Sequence, residues 1–291
     1  VTNRLLEIIK TRTAIFDGGM GSMLIARGLA PGESPETWNL EKPEVVAAVQ
    51  RLYYEAGADV VHTNSFGSSP LKLADRGLMD QAERINRRAA EITKGACAAG
   101  KLVAGDLGPT GKFMQPMGDL DPREAEHSYR RQAEALLAGG ADLISIETMF
   151  SLQEALAALR GAKAAGDVFV IVSLTYNRTK KGFFTLMGEG VPEAVKALEE
   201  AGADAIGSNC SLGSAEMVEL TAAIRAATRK PILIQPNAGR PEAVDDAVVY
   251  RQTAAEFAAD GLRIKAAGAD MIGGCCGTTP EFIQALSRAV S

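Results

Sequence analysis

The chain has 291 residues, 46% of them hydrophobic and 23% charged, a composition that fits a globular domain and excludes a disordered one. Its 31 basic and 36 acidic side chains give a formal net charge of −5, which argues against nucleic-acid binding driven by phosphate contacts. No apolar run approaches the ~20 residues of a membrane-spanning helix and no secretory signal opens the chain, so a cytoplasmic protein with neither membrane nor nucleic-acid partner is expected. The start at Val1, without Met, is expected of a trimmed chain or an excised piece of a longer one.

In chain order, eight short apolar runs read as strands: Thr13–Asp17, Val60–Asn64, Leu102–Asp106, Leu143–Glu147, Phe169–Leu174, Ala205–Asn209, Ile232–Pro236 and Met271–Gly274. Helical periodicity follows most of them, at Pro43–Ala56, Gln81–Ala99, Pro122–Ala138, Leu152–Ala165, Pro192–Ala201, Ala215–Thr228, Arg251–Ala267 and Pro280–Val290. A joint recurs where helix passes to strand: Ala56-Gly57-Ala58-Asp59, Gly139-Gly140-Ala141-Asp142, Ala201-Gly202-Ala203-Asp204 and Ala267-Gly268-Ala269-Asp270. Glycine ends the helix in the left-handed conformation, and Ala-Asp turns the chain into a buried strand. The irregular spacing excludes a solenoid. Continuous apolar strands alternating with helices imply a parallel sheet covered on both faces. Eight such units predict a (β/α)8 TIM barrel as a single domain, 1–291. The competing open, doubly wound sheet lacks its Gly-x-Gly-x-x-Gly signature after the first strand.

A barrel gathers its chemistry at the C-terminal ends of its strands. Those ends carry, in order, Asp17, Asn64, Asp106, Glu147, Tyr176 with Asn177, Asn209 with Cys210, Asn237, and Cys275 with Cys276. Adjacent cysteines make a strained disulfide, so Cys275 and Cys276 point to other chemistry. One strand separates the sixth from the eighth, which lets Cys210 approach that pair across the rim. Three thiolates suit Zn2+, and Gly273-Gly274 and Gly277 around the pair allow the bend that both ligands need. The competing reading is of buried free thiols in an Ala-rich core. Cys97, at a helix end away from the mouth, reads as a core thiol. His62 either touches substrate or is a hydrogen-bonded core or rim histidine, and His127 lies on a helix surface. The turn Asp17-Gly18-Gly19-Met20-Gly21-Ser22 offers amides to a carboxylate or phosphate. With Asp17 and Glu147 available to an ammonium group, it outlines an amino-acid pocket. Arg178, Lys180 and Lys181 read as a solvated loop, with contact to an acidic partner as the alternative.

Seven segments carry a resemblance to the homocysteine S-methyltransferase family: Phe16-Asp17-Gly18-Gly19-Met20-Gly21-Ser22, Thr63-Asn64-Ser65-Phe66, Gly108-Pro109-Thr110-Gly111, Glu147-Thr148, Gly207-Ser208-Asn209-Cys210-Ser211, Pro236-Asn237-Ala238-Gly239 and Gly273-Gly274-Cys275-Cys276-Gly277-Thr278. They run in order through essentially the whole chain, and the last is highly specific. Within the family, the chain is most similar to the N-terminal homocysteine-binding barrels of cobalamin-dependent methionine synthases. The resemblance implies a zinc ion held by Cys210, Cys275 and Cys276 and homocysteine with its sulfur on that zinc. It implies an amino group near Asp17 and Glu147, and a carboxylate on amides from Gly19 through Gly21 to Ser22. Asn64, Ser65 and Asn237 match family positions near the substrate. The basic, aromatic loop from Asn177 to Thr185 departs from the expected milder sequence and points to a different methyl donor, partner or acceptor.

The implied chemistry is coherent. A free thiol with a pKa of about 8.5 is only a few per cent thiolate at neutral pH, and coordination to Zn2+ deprotonates it. Three anionic cysteines leave electron density on a fourth sulfur, which suits thiolate alkylation better than water activation. The corrinoid-binding pattern Asp-x-His-x-x-Gly is absent, because neither His62 nor His127 has Asp two places before it. The expected function is methylation of zinc-activated homocysteine to methionine, with a corrinoid (methylcobalamin) donor on another domain or protein. One alternative moves methyl from a small methylated compound to a corrinoid protein. Another is a non-catalytic zinc or amino-acid binding module of a larger assembly. A barrel aldolase or decarboxylase is disfavoured, since no strand ends in Lys.

Overall fold

Each predicted strand is found in the computed structural model, which describes residues 2–244 and 247–290; positions 1, 245, 246 and 291 of the expected domain lie outside the described residues. The barrel strands are β1 (Ala14–Ile15), β2 (Val60–His62), β3 (Leu102–Leu107), β4 (Leu143–Met149), β5 (Val170–Leu174), β6 (Ala205–Gly213), β7 (Ile232–Asn237) and β8 (Met271–Ile272). All ladders between them are parallel, in the order β1-β8-β7-β6-β5-β4-β3-β2. The ends meet at a parallel bridge between Phe16 and Val60, and Asp17 N–H donates to the Val60 carbonyl at 3.1 Å. The chain is a (β/α)8 barrel, and the open-sheet alternative is excluded.

Strand parity separates two cores. Phe16, Val60, Ala104, Ile171, Leu233 and Met271 fill the barrel interior, and Leu5 joins them from the helix Thr2–Thr11, which plugs the N-terminal end. Val61, Ile144, Val170, Val172, Ile206 and Ile232 face outward into a larger layer shared with the surrounding helices.

The recurrent joint does more than turn the chain. Gly57, Gly140, Gly202 and Gly268 all have φ between 93° and 109°, as a left-handed helix end requires. Each following aspartate accepts an amide from the neighbouring strand region: Asp59 from Ile15, Asp142 from Val103, Asp204 from Val170 and Asp270 from Ile232, at 2.8–3.0 Å. Each also pairs with a cation: Arg12 and Lys101, Lys94, Lys163 and Arg225 respectively. The joints therefore stitch adjacent strands together at the end of the barrel opposite the mouth.

At the mouth the ladders become irregular. Register shifts fall between Ile146 and Met149 in β4 and between Asn209 and Gly213 in β6. Such bulges re-aim side chains at a barrel rim. The basic loop after β5 is a hairpin, Asn177–Thr179 against Gly182–Phe184, and Arg178 pairs with Glu219 at 2.6 Å.

Candidate active site

Cys210, at the bulged end of β6, meets Cys275 and Cys276 just beyond β8, and their three sulfur atoms all lie within 4.8 Å of one another. Cys210 Sγ and Cys276 Sγ are 3.9 Å apart. Two sulfurs on a tetrahedral ion with ~2.3 Å bonds are separated by ~3.8 Å, so the spacing fits a zinc-thiolate site. Cys210 has φ 62°, Ser211 has φ 56° and Thr148 has φ 58°, the described non-glycine residues in the left-handed region. Backbone strain of this kind concentrates at sites that fix a side chain for function. Gly277, at φ 79°, has the Tyr250 ring where a Cβ would stand, 2.4 Å away, which allows the turn after the cysteine pair to close. Hydrogen bonds from the Cys275 and Cys276 thiols pull Cys210 well below the usual thiol range and push its two donors up.

Asn209 braces this rim. Its side-chain oxygen accepts from Thr148 N–H at 2.7 Å, and its amide donates to Thr148 Oγ1 at 2.8 Å and to Cys275 Sγ at 3.7 Å. The strained residue after Glu147 and a thiol of the cluster are thereby tied to one side chain. Asn237 works from the other side: its Oδ1 accepts from Cys276 N–H at 3.1 Å, and its side chain reaches Cys210.

Beside the thiols lies a cavity of about 240 Å³, lined by Gly18 to Ser22, Pro35 and Glu36, His62 to Phe66, Asp106, Glu147, Thr148, Gln235, Gly274 and the three cysteines. That is the space of roughly eight waters, enough for a small amino acid. Its floor holds buried acids. Burial pushes Asp106 well above the usual carboxylate range, reinforced by Glu147. Burial also lifts Glu147 to about 7, with His62 opposing and Asp17 and Cys210 adding to the rise. For His62 burial alone favours the neutral ring, but the charge and hydrogen bond of Asp17 outweigh it and raise the imidazole to about 10.

A sequence model of the family described as "Homocysteine S-methyltransferase" matches residues 14–290. This chain belongs to that family. Among its relatives, methionine synthase of Mycobacterium leprae is 32% identical across 99% of this chain, and that of Mycobacterium tuberculosis is 31% identical across the same share. The chain spans about a quarter of the length of these curated relatives. The solved homocysteine methyltransferase MmuM from Escherichia coli, in its metallated form, is 27% identical with a TM-score of 0.78, covering 95% of this chain and 96% of that one.

Against the expectations for a homocysteine S-methyltransferase, the residues fall into two layers. Gly19, Gly21, Ser22, Asn64, Ser65 and Glu147 line the cavity. Asn64 and Ser65 spend their polar atoms inward. Asn64 donates to the Pro35 carbonyl and to Asn39, which holds the segment bearing Glu36, and Ser65 donates to the Asp106 carbonyl. The Gly19 amide is occupied by Thr278, whereas the amides of Met20, Gly21 and Ser22 precede the first intrahelical bond, from Met23 to Gly19. Asp17 stands behind the wall. It is 1% exposed, and both of its oxygens accept from His62, Oδ1 from Nδ1 at 2.6 Å and Oδ2 from the backbone N–H at 2.9 Å. This pairing arises because β1 and β2 close the barrel side by side. Cys97, expected as a core thiol, is only half-buried, packed against the main core at the far end of the barrel.

Asp106, Glu36, Thr148 and Gln235 line the cavity without having been singled out as substrate contacts, and His62, expected either at the substrate or as a core or rim histidine, lines it too. Parity carries the signal for His62: Val60 faces the barrel interior, so the residue two along does too. Glu36 has no comparable signal, since it sits in a short 3-10 turn, Pro35–Thr37, outside the strand pattern.

Proposed function

We propose that this chain is a zinc-dependent homocysteine S-methyltransferase barrel, with residues 1–291 forming the homocysteine-binding domain and Cys210, Cys275 and Cys276 as the metal ligands. The observation that carries the reading is the convergence of three thiols at tetrahedral spacing on the lip of an amino-acid-sized cavity. A bound zinc ion supplies Lewis acidity that keeps a coordinated homocysteine sulfur as the nucleophilic thiolate at neutral pH.

The protein's own groups bind and orient the rest of the substrate. The free amides of Met20, Gly21 and Ser22 face the carboxylate end. Glu147, with Asp106 beside it, accepts the ammonium group, while Asp17 acts through His62. Asn237 braces Cys210 and Cys276, and Asn209 braces Cys275. The methyl donor is a corrinoid on another domain or protein, a reading supported by likeness to methionine synthases four times as long as the chain. A cytoplasmic location accords with it, and no described helix is long and apolar enough to cross a membrane.

Metal analysis of Cys210→Ala, Cys275→Ala and Cys276→Ala tests the centre: each variant is expected to lose its equivalent of zinc, and full retention in any one contradicts the ligand set. Glu147→Gln is expected to keep zinc and weaken homocysteine about tenfold or more, the scale of a charged hydrogen bond. Unmodified protein that binds 3-mercaptopropionate, which lacks the amino group, as tightly as homocysteine refutes the ammonium assignment.

A further inference from the structure

Two turns meet at the cavity: Gly18 to Ser22 after β1, and Gly274 to Thr278 after β8, which carries two of the cysteines. A Cβ on Gly19 would stand 2.8 Å from the Cys275 carbonyl oxygen, and one on Gly18 would stand 2.6 Å from Thr278 Oγ1. Glycine is what lets the two turns approach this closely. Hydrogen bonds cross the contact. The Gly277 amide donates to Ser22 Oγ at 3.0 Å, and the Gly19 amide donates to the Thr278 carbonyl and hydroxyl oxygens, each at 3.2 Å. Thr278 Oγ1 in turn donates to the Cys275 carbonyl at 2.6 Å.

Behind this contact stands Tyr53 of the helix Pro43–Glu55, fully buried and absent from the cavity lining. Its hydroxyl lies 3.2 Å from the Gly19 carbonyl and 3.1 Å from the Thr278 carbonyl, so one O–H is shared between the two turns. Its ring packs beside Gly18. Burial pushes the phenol well above its usual range, which keeps the hydroxyl a donor at working pH. A ligand held by its sulfur at one turn and its head group at the other gains from the second contact only while their separation is fixed. We propose that Tyr53 is a positioning residue that pins the β1 turn and the cysteine turn to each other, fixing the distance between the metal and the amino-acid end of the pocket. The inference rests on the amino-acid thiol reading above and adds the side chain that holds its two halves in register.

The test compares homocysteine with its two fragments, 1-propanethiol (no amino-acid head) and 2-aminobutyrate (no thiol). Binding is measured by calorimetry on zinc-loaded native chain, Tyr53→Phe and Thr278→Val, and zinc affinity by chelator competition. Tyr53→Phe keeps the ring and strands neither carbonyl, because Gly19 still accepts from Met23 N–H and Thr278 from Gly19 N–H. It is expected to weaken homocysteine about threefold to tenfold, the scale of a neutral hydrogen bond, while zinc and both fragments bind as in the native chain. Thr278→Val removes the hydroxyl of the same contact and is expected to show the same selective loss, so it carries the test if the Tyr53 variant does not fold. Unchanged homocysteine affinity in a folded variant overturns the proposal. So do equal losses for homocysteine and both fragments, which a merely structural tyrosine would give. Native protein that binds homocysteine no more tightly than its better fragment overturns the two-ended reading itself, a separate outcome.

Discussion

One side chain, Asn209, ties the strained Thr148 to the thiol of Cys275. An L-residue in the left-handed region sits about 1–2 kcal/mol above its relaxed state, so Thr148 stays there only while both contacts hold it. Asn209→Ala is expected to retain a full equivalent of zinc, lower stability by about 1–3 kcal/mol and weaken homocysteine about tenfold as Glu147 loses its orientation. Unchanged affinity in that variant would show that Glu147 is positioned without it. The convergence of Cys210, Cys275 and Cys276 was legible in the sequence, because strand-end position and the glycines around Cys275-Cys276 left few other arrangements. The place of Glu147 on the cavity wall was legible from its strand-end position. The pairing of Asp17 with His62 was not, since both lie at the ends of neighbouring strands that only the closing of the barrel brings side by side. Glu36 was out of reach, being held by Ser34 and Gly67 in a segment without periodicity.

The helix-to-strand joint is the element whose sequence signal and structural meaning agree best, yet half of its meaning was hidden. Its glycines announced a left-handed helix end. Nothing in the local sequence announced that each aspartate would cap a neighbouring strand, since Asp59 and Ile15 are far apart in the chain. Asp59 is the most heavily engaged of the four, bound by Arg12 at 2.6 Å, Lys101 at 3.1 Å and the Ile15 amide at 3.0 Å. Burial alone raises its carboxyl pKa, but the guanidinium, the amide and the ammonium outweigh it and hold the group below the ordinary carboxylate range. A carboxyl depressed in the folded state adds stability above its unfolded pKa of about 3.9, and that stability is lost as pH falls through the folded value. Asp59→Asn is therefore expected to cost about 2 kcal/mol near neutrality, with the difference from native protein shrinking below about pH 4. A constant difference from pH 7 to pH 3 in paired denaturation curves contradicts the charged pairing. The helix Thr2–Thr11 escaped the sequence reading because no strand precedes it, although Leu5, Leu6, Ile8 and Ile9 give it an apolar side against the barrel floor.

At the scale of the whole molecule, stability and chemistry occupy opposite ends of one barrel. Two apolar cores and the aspartate joints hold the scaffold without reference to the cysteines, which stand on the rim. Removing zinc with a chelator is therefore expected to leave the circular dichroism spectrum and a cooperative melt in place, lowering Tm only by the binding free energy of the metal. Loss of the fold on chelation would make the metal structural. The family and fold were readable because barrel periodicity and the thiol motif extend through the chain, whereas the donor was not, since the chain spans a quarter of its curated relatives. In the proposed function the cysteine centre turns the substrate thiol into a nucleophile. Zinc K-edge absorption spectroscopy on the loaded protein, before and after homocysteine, tests it most directly. The expected result is a change from three sulfur neighbours and one light atom to four sulfurs, with about one proton released per site at neutral pH. A zinc environment that stays the same while methyl transfer to homocysteine proceeds contradicts activation of the thiol by the metal.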